Sequence, residues 1–567
     1  MASKKPKRKL AGIDLGTTYS AIAHFGPAGR PEVIPNTEDE RTTPSVVLYE
    51  DGKALVGSVA KNQAVGNPKR VLQHVKRHLG DPTWHRDIDG RRFTPEIVSG
   101  IILRALVREA EAQTGQAITD VVIGCPAYFN DLERRLTKES GTIAGLNVLG
   151  IVNEPTAAAV AYGLHLERGP VTALVFDLGG GTLDVTVLEI EGREVRVLAT
   201  DGERKLGGID WDMEIVDRVA EEFVRKHRLD PRDEPESYQD LLLRAELAKK
   251  ALSVKPRVRI PVTCGGQRLL LELTREEFQE QSAHLLHRAE ALLERALDKA
   301  ERTWDQIDRV LRVGGSTRMP AVMEMLGQYA GKKLVPGMNP DEVVALGATY
   351  WAGFLAVREA KRKSGAMRVP AAELLQDAVP SDLVVILDDL EVQNVNSHSL
   401  GVMTVEKDGT RKNLIMIPEQ TPIPHEVTRE FQTAKDGQQT VEARILEGES
   451  DDPARCVELG RCVISGLPPD RPKGSRILVT YRYAEDNVLH VRARDRESGK
   501  EVRTRVERLA GSLDQEQLGL KSRLVNHLVT GVAAEADDQA ALHARFLEEQ
   551  EWEQEWFRDE AEPGSRG

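Results

Sequence analysis

The chain has 567 residues, of which 40% are hydrophobic and 29% charged, so it predicts more than one globular domain and excludes a largely disordered protein. Its net charge of -13 argues against nucleic acid as the main partner, because phosphate binding needs a basic surface. The sequence has no apolar run of membrane-spanning length, and its four cysteines are scattered without zinc spacing. We therefore expect a cytoplasmic protein with reduced thiols and no membrane partner.

Two stretches of nearly the same sequence, LAGIDLGTTYS at residues 10–20 and LVFDLGGGTLDV at residues 174–185, each predict a strand, a glycine turn and a second strand. Glycine lets backbone N–H groups approach an anion, and the threonine hydroxyls beside each turn add donors. One such turn is a plain hairpin loop in most proteins. Two in this order predict a pair of hairpins that grip one polyphosphate from both sides.

Asp14 and Asp177 stand at matching places before the two turns. Carboxylates there would hold magnesium against the phosphates, either directly or through its retained waters. A recurring aspartate thus indicates a metal beside the phosphate clamp.

A third glycine turn, VGGSTRMP at residues 313–320, follows a strand-like segment and runs into a helical pattern. Strand, glycine turn and helix start in this order predict an anion or nucleoside site. Upstream, AELAKKALS places Glu246, Lys249 and Ser253 on one face of a helix. Taken alone, such a face is more often a solvated surface.

With HVKRHLG, CPAYFND, IVNEPTAAAVAYGL and NPDEVVALGA in the same order, the chain resembles the 70-kDa heat-shock chaperones, the DnaK-like family of the actin-like ATPase superfamily. It looks like a divergent bacterial-type member with a short lid. The resemblance covers roughly residues 8 to 510. It implies a two-lobed α/β actin-like ATPase domain, then a β-sandwich substrate-binding domain and a short α-helical C-terminus. It also implies ATP or ADP with Mg²⁺, and K⁺ as a further cofactor.

The resemblance assigns roles to single residues. Lys76 would contact the γ-phosphate and the attacking water, and Glu154 would orient that water near the metal. Asp14, Asp177 and Thr182 complete the implied catalytic set, and Asp184 joins the two aspartates in the metal shell. The other residues implied to bind nucleotide are Gly16, Thr17, Thr18, Tyr19, Gly179, Gly180, Gly181, Glu246, Lys249, Ser253, Gly314, Gly315, Ser316, Arg318 and Asp341.

Domain boundaries follow from the same comparison and from composition. The ATPase domain is expected at residues 8–362, a linker at 363–393, the sandwich at 394–510, and a lid remnant with an acidic tail at 511–567. Residues 384–387, in VVILDDL, are read either as an apolar linker that docks on the ATPase domain or as a first buried strand. Pro126 and Arg134 correspond to the family's proline switch and relay arginine, which report the nucleotide state to the second domain.

Short alternating strands between residues 394 and 510 indicate a β-sandwich. By position in the family, the residues that would line its groove for an extended apolar peptide are Val402, Val405, Phe431, Ala434 and Val441. Alternation alone also predicts each of them as ordinary core. The tail predicts two helices, the second acidic with Trp552 and Trp556 one turn apart, and so a lid that covers the groove poorly.

The sequence thus predicts an ATPase that acts as a chaperone and binds extended apolar segments of unfolded client proteins. Its implied helpers are a J-domain co-chaperone and a nucleotide exchange factor. Leu149 and Gly150 stand where bacterial relatives carry basic residues, one of which helps dock the J-domain, so we expect a dedicated partner. The alternative is an ATP-sensing regulatory or docking protein with little turnover. A sugar kinase or filament-forming ATPase is disfavoured by the peptide-binding half.

Overall fold

A computed structural model describes residues 9–163, 169–336, 339–367, 374–375, 378–406, 408–484, 489–505 and 515–531. Two α/β lobes come first in this part of the chain. A two-sheet sandwich follows, and a single helix comes last.

The first lobe is built on a six-stranded sheet. In spatial order its strands are Asn147–Asn153, Ile118–Cys125, Lys9–Asp14, Tyr19–Phe25 and Pro31–Val33, and Thr43–Pro44 also pairs with Tyr19–Phe25. The apolar strand Lys9–Asp14 is buried because it lies between a parallel and an antiparallel neighbour. The lobe also contains helices Ser58–Gln63, Pro95–Thr114 and Asp131–Ile143, the 3₁₀ turn Val75–His78, and strands Val46–Glu50, Lys53–Val56, Val71–Gln73, Arg86–Ile88 and Arg91–Phe93.

The second lobe repeats this plan on a five-stranded sheet. Its strands are, in order, Arg309–Val313, Val171–Leu178, Leu183–Glu191, Glu194–Glu203 and Glu391–Gln393. Here too a strand, a tight turn and an antiparallel strand form a hairpin, in which Asp177 pairs with Asp184. The lobe further contains helices Gly208–His227, Pro235–Leu252, Arg275–Gln281, Ala283–Lys299 and Pro320–Ala330, the hairpin of Arg257–Cys264 with Gln267–Thr274, and 3₁₀ turns Pro231–Asp233, Trp304–Gln306, Gly315–Arg318 and Gly331–Lys333.

Two helices join the lobes at their base. Val343–Met367 lies on the sheet of the first lobe, and Glu154–Gly163 contacts strands of both sheets. The helices pack on each other in one apolar cluster with residues from both lobes. Because the second helix begins at Glu154, it presents that carboxylate to the cleft above the cluster.

The segment predicted as a linker contains a helix. Ser381–Asp388 packs against Val343–Met367, and Leu383 and Leu387 are buried there. The interpretation of residues 384–387 as a first buried strand is therefore wrong, whereas the apolar segment does dock on the ATPase domain, as part of a helix. The i, i+4 spacing of the two leucines gives a helix one buried face, whereas Val385 between them is 63% exposed.

The strand that does dock on the ATPase domain comes later in the chain. Glu391–Gln393 pairs in parallel with residues 194–196 and becomes the edge of the second-lobe sheet. Its contacts are backbone hydrogen bonds, so they do not require an apolar segment. The connection to the sandwich therefore leaves directly from this sheet edge.

The sandwich consists of two four-stranded antiparallel sheets. One has the order Arg411–Ile417, Leu400–Val405, Thr440–Glu447, Val457–Ser465, and the other His425–Gln432, Arg476–Tyr483, Leu489–Asp495, Glu501–Arg505; a 3₁₀ turn spans Pro453–Arg455. Both sheets contribute to one apolar core, in which the buried Tyr481 hydroxyl donates to the Gly401 carbonyl at 2.8 Å. The first strand begins at Leu400 and not at residue 394, because Asn396 uses its side-chain amide to bond the His398 and Pro418 carbonyls.

The helix Gln515–Thr530 packs on the first lobe and not on the sandwich. Leu524, Val525 and Leu528 are buried against helices Pro95–Thr114 and Asp131–Ile143. Lys521 Nζ lies 3.1 Å from Glu96 Oε1. The first helix of the predicted lid remnant thus lies away from the sandwich, and the second, with Trp552 and Trp556, falls outside the described residues.

Candidate functional site

The two glycine turns face each other across the cleft. A Cβ atom built on Gly180 would lie 2.2 Å from Thr18 Oγ1, and one on Gly181 would lie 2.4 Å from Thr17 Oγ1. Only glycine permits this approach, because any side chain would displace the opposite threonine. The second turn is closed by a hydrogen bond from Gly179 N to the Thr182 carbonyl at 3.1 Å. The threonine hydroxyls and the glycine backbone therefore converge on one space.

Four carboxylates and one lysine lie at the base of these turns. Lys76 Nζ is 2.8 Å from Glu154 Oε1, and both side chains are less than a tenth exposed. Burial raises the pKa of Asp14 to about 7, with Glu154 adding to the shift and Lys76 opposing it. Burial and Glu154 likewise raise the pKa of Asp184 to about 7, and burial raises that of Asp177 well above its usual range. The single positive charge of Lys76 does not balance the negative charge of these four carboxylates.

These donors fit a hydrated magnesium ion. Asp177 Oδ2 is buried and has no hydrogen-bond partner among the described residues, which is the state a cation or its water would satisfy. No three His, Cys, Asp or Glu side chains in the described ranges lie close enough to hold a metal directly. Asp14, Asp177 and Asp184 would therefore hold Mg²⁺ through waters that it keeps, as it usually does beside phosphates.

The third glycine turn lies against the second. Gly314 has φ of 81°, and a Cβ atom there would come within 2.3 Å of the Leu178 carbonyl oxygen. Ser316 Oγ donates to the Gly179 carbonyl at 2.9 Å. The Arg318 guanidinium pairs with Asp341 at 2.7 Å. Residues that the sequence predicted from separate motifs thus meet on the second-lobe side of the cleft.

A cross-cleft cluster joins the lobes above the turns and consists of Tyr19, Lys61, Glu246 and Lys250. The Tyr19 hydroxyl donates to Glu246 Oε1 at 3.0 Å, and Lys61 Nζ donates to Glu246 Oε2 at 2.5 Å. Lys250 Nζ lies 2.7 Å from Glu246 and 2.8 Å from the Tyr19 hydroxyl. Burial raises the pKa of Glu246, but Lys61 and Lys250 outweigh it and lower that pKa to about 2.

Sequence reasoning named Tyr19 and Glu246 but missed both lysines of this cluster. The i, i+4 spacing of Glu246 and Lys250 was an available signal. The sequence around Lys61 gave no such signal, because its partner Glu246 is 185 residues away.

Two other predicted nucleotide residues bond within the protein. Lys249 Nζ donates to the Gly208 carbonyl at 2.7 Å and lies 2.9 Å from Asp212. Ser253 Oγ donates to the Lys249 carbonyl at 3.3 Å. In this structure Lys249 therefore fastens two second-lobe helices to each other beside the phosphate turn.

Arg77 is a further residue that joins the lobes and that the sequence did not predict. Its Nη2 donates to the Gly181 carbonyl at 2.7 Å, and its guanidinium pairs with Asp210 near the start of helix Gly208–His227. Lys76 and Arg77 thus bind opposite sides of the cleft from one 3₁₀ turn.

Arg134 supports the loop formed by residues 126–130, which begins at Pro126. Its buried guanidinium donates to the carbonyls of Ala127 at 2.7 Å and Phe129 at 2.9 Å. Within this loop Tyr128 N donates to Asp184 Oδ1 at 2.9 Å. The loop therefore connects the predicted relay residues to a carboxylate of the candidate metal site.

The sandwich contacts this same loop and the start of the helix that follows it. His398 Nε2 lies 3.1 Å from the Tyr128 carbonyl oxygen, and Asp131 N donates to Glu447 Oε2 at 3.2 Å. It also contacts the second lobe, where Gln420 Nε2 donates to the Thr200 carbonyl at 2.8 Å. The sandwich is thus docked on both lobes in this structure.

The five predicted groove residues do not share one open surface. Val402 is 3% exposed and belongs to the sandwich core, and Phe431 and Val441 pack partly buried against that core. Val405 and Ala434 are exposed. The prediction of Val402 as an open groove residue thus disagrees with its position here, because its strand pairs on both sides and turns this side chain inward.

Two lobes that hold paired phosphate turns, with a sandwich attached, define a nucleotide-cleft protein with a second, all-β domain. The chain matches the family model of the Hsp70 protein over residues 10–89 and 81–554, and it belongs to this family. The predicted resemblance is thus confirmed, whereas the bacterial-type subtype stays a prediction. Its members are ATP-binding chaperones, so a chaperone role follows at the level of the family. Within the described ranges, no helix is both long and apolar enough to cross a bilayer.

Proposed function

We propose that this protein hydrolyses ATP to ADP and phosphate in the cleft, and that the bound nucleotide sets the affinity of the sandwich for extended apolar segments of unfolded proteins. The observation that carries this proposal is the chain of contacts from Asp184 through Tyr128 to His398 of the sandwich. Such a path lets a change at the metal site reach the peptide-binding domain. The K⁺ ion, the J-domain and exchange-factor partners, and the cytoplasmic location stay predictions.

The residues of the cleft fit phosphoryl transfer to water. Bound magnesium would supply positive charge to the phosphate oxygens. Thr17, Thr18 and the backbone of the opposite turn would donate hydrogen bonds to the same oxygens. Lys76 would stabilise the charge that develops as water attacks the γ-phosphorus and the bond to ADP breaks. Glu154, which pairs with Lys76, would orient that water.

The test is single-turnover ATP hydrolysis with and without an extended apolar peptide. If the domains are coupled, saturating peptide should raise the hydrolysis rate several-fold. Hydrolysis without a peptide effect would favour the alternative, an ATP-sensing docking protein. ATP binding without any cleavage would contradict the proposed cycle.

The cross-cleft cluster predicts a slow step in nucleotide exchange. Lys61→Ala should speed ADP release by about tenfold. Loss of its partly buried ion pair with Glu246 removes on the order of 1.4 kcal/mol of the free energy that stabilises the closed cleft. The rate can be followed with a fluorescent ADP in stopped flow. Lys69→Ala, on the same lobe, is the matched control and should leave the rate unchanged. An unaltered rate in Lys61→Ala would show that the cluster does not hold the cleft closed.

A further inference from the structure

A histidine of the sandwich is enclosed where the two domains meet. We propose that His398 is a positioning residue of the ATPase cycle and that its protonation favours the docked sandwich, so that coupling between the domains is strongest at mildly acidic pH. The role in the cycle rests on the proposed function above. The docking equilibrium can be tested without it.

The surroundings of the imidazole suit its doubly protonated form. The side chain of His398 is 11% exposed, and its ring lies edge-on to Tyr128 with 4.4 Å between the ring centres. Nε2 faces the Tyr128 carbonyl at 3.1 Å, and Nδ1 faces Glu449 Oε1 at 3.6 Å. A carbonyl and an ionised carboxylate both only accept hydrogen bonds. A proton on each nitrogen therefore satisfies both neighbours.

The same contact positions a residue of the cleft. Tyr128 accepts from His398 through its carbonyl and donates to Asp184 through its N–H. The Ser397 hydroxyl also donates to the neighbouring carbonyl of Ala127. When the sandwich leaves, the loop loses both contacts, and the orientation of Asp184 is no longer fixed from that side.

A buried carboxylate beside His398 acts in the same direction. Glu447 is 7% exposed, and it accepts from Asp131 N at the start of helix Asp131–Ile143. This hydrogen bond and the helix dipole favour its ionised form, but they do not outweigh the cost of burying the charge. Charged and titratable groups facing His398 and Glu447 at this junction are Tyr128, Asp131, Glu133, Arg134 and Arg204 of the ATPase domain, and Glu449 of the sandwich. Near neutral pH Tyr128 stays uncharged, and Arg134 and Arg204 stay positively charged. Burial raises the pKa of Glu449, but His398 and the Ser399 amide outweigh it and lower that pKa to about 2, so this carboxylate stays ionised.

The direction of the pH effect follows from these contacts. Burial lowers the pKa of His398, but the nearby carboxylate of Glu449, the charge of Glu447 and the Tyr128 carbonyl outweigh it and leave that pKa raised. Burial raises the pKa of Glu447 to about 7, with His398 opposing. Docking raises both pKa values, so protonation of these groups stabilises the docked form. This stabilisation is full below the undocked pKa of each group and is lost as pH rises through the docked pKa. Docking should therefore weaken as pH rises past about 6.5 and through about 7.

The experiment measures the radius of gyration of the full chain by small-angle X-ray scattering from pH 6 to 8.5. The undocked form is more extended, so the radius should grow as pH rises, with the docking constant falling about tenfold for each unit by which a group's pKa is raised. His398→Gln keeps an N–H donor but cannot titrate, and its radius should respond far less to pH. His284→Gln, an exposed histidine of the second lobe, is the control and should follow the wild type.

Glu449→Gln provides a second variant if His398→Gln fails to fold. It removes the carboxylate that stabilises the imidazolium, so the midpoint of the transition should move to lower pH. A wild-type radius that ignores pH, or an equal response in His398→Gln, would overturn the proposal. The ratio of peptide-stimulated to basal hydrolysis should fall over the same range of pH. A radius that responds in a protein that never cleaves ATP would support the docking role and contradict the proposed function.

Discussion

Lys76→Ala is expected to slow single-turnover ATP hydrolysis by about 100- to 1,000-fold, while ATP binding changes far less. The lysine is a buried cation beside Glu154 and Asp14, so in the proposed mechanism it would oppose charge that grows mainly in the transition state. Loss of one such fixed group costs about 2.7–4 kcal/mol of transition-state stabilisation. Rapid-quench hydrolysis gives the rate, and calorimetric titration of ATP gives the affinity.

A folding defect must be separated from this catalytic effect. Removal of Lys76 leaves Glu154 buried without its partner, which destabilises a protein by about 3–5 kcal/mol. Thermal unfolding of Lys76→Ala therefore comes first, and Glu154→Gln serves as a second variant that removes the same ion pair from the other side. Lys226→Ala, an exposed lysine of the second lobe, should behave as wild type. Hydrolysis by Lys76→Ala at the wild-type rate would remove the lysine from the mechanism.

Asp177→Asn is expected to reduce hydrolysis by about 100-fold or more and, at the same time, to stabilise the nucleotide-free protein by about 1–3 kcal/mol. The variant removes one of several neighbouring carboxylates that repel each other, but it also removes a predicted holder of magnesium. Activity and stability should thus change in opposite directions. Titration of ATP with and without Mg²⁺ should show that the variant has lost most of the gain in affinity due to the metal.

The same carboxylates predict how stability depends on pH. Folding raises the pKa of Asp14 and of Asp184 to about 7 from an ordinary value near 3.8. The protonated carboxyls therefore contribute to the free energy of unfolding, in full below that ordinary value, and this contribution is lost as pH rises through about 7. The metal-free protein should thus melt at lower temperature at pH 8 than at pH 6. Melting curves in chelator should show this loss, and Asp177→Asn should reduce it. The exposed Asp305→Asn should not. A wild-type melting temperature that stays level or rises would contradict the charge arrangement.

The phosphate turns were accessible to sequence reasoning because each is local. A strand, an aspartate and a glycine turn are written within a dozen residues, and the repeat at Asp14 and Asp177 indicated that two such turns belong together. The structure places them face to face, as the repeat suggested. Family resemblance added Lys76 and Glu154, whose ion pair joins residues that are 78 positions apart.

Contacts between distant segments could not be predicted. Arg77 and Lys61 find their partners on the other lobe, and nothing in their own neighbourhoods distinguishes them from surface residues. The short apolar run at residues 384–387 fits a strand or a helix equally, and the helix Val343–Met367 against which it packs decides between them. Likewise, the apolar face of Gln515–Thr530 predicted a helix but not the surface that it covers.

Two elements that complete the lobes come late in the chain and are therefore synthesised late. Strand Glu391–Gln393 completes the second-lobe sheet, and helix Gln515–Thr530 covers part of the first lobe. During translation, the residues of the nucleotide cleft are therefore synthesised before this strand and this helix. The nascent ATPase domain leaves the ribosome with an open sheet edge and an uncovered apolar surface, both of which invite aggregation. It reaches its final surface only when the residues up to Thr530 have been synthesised.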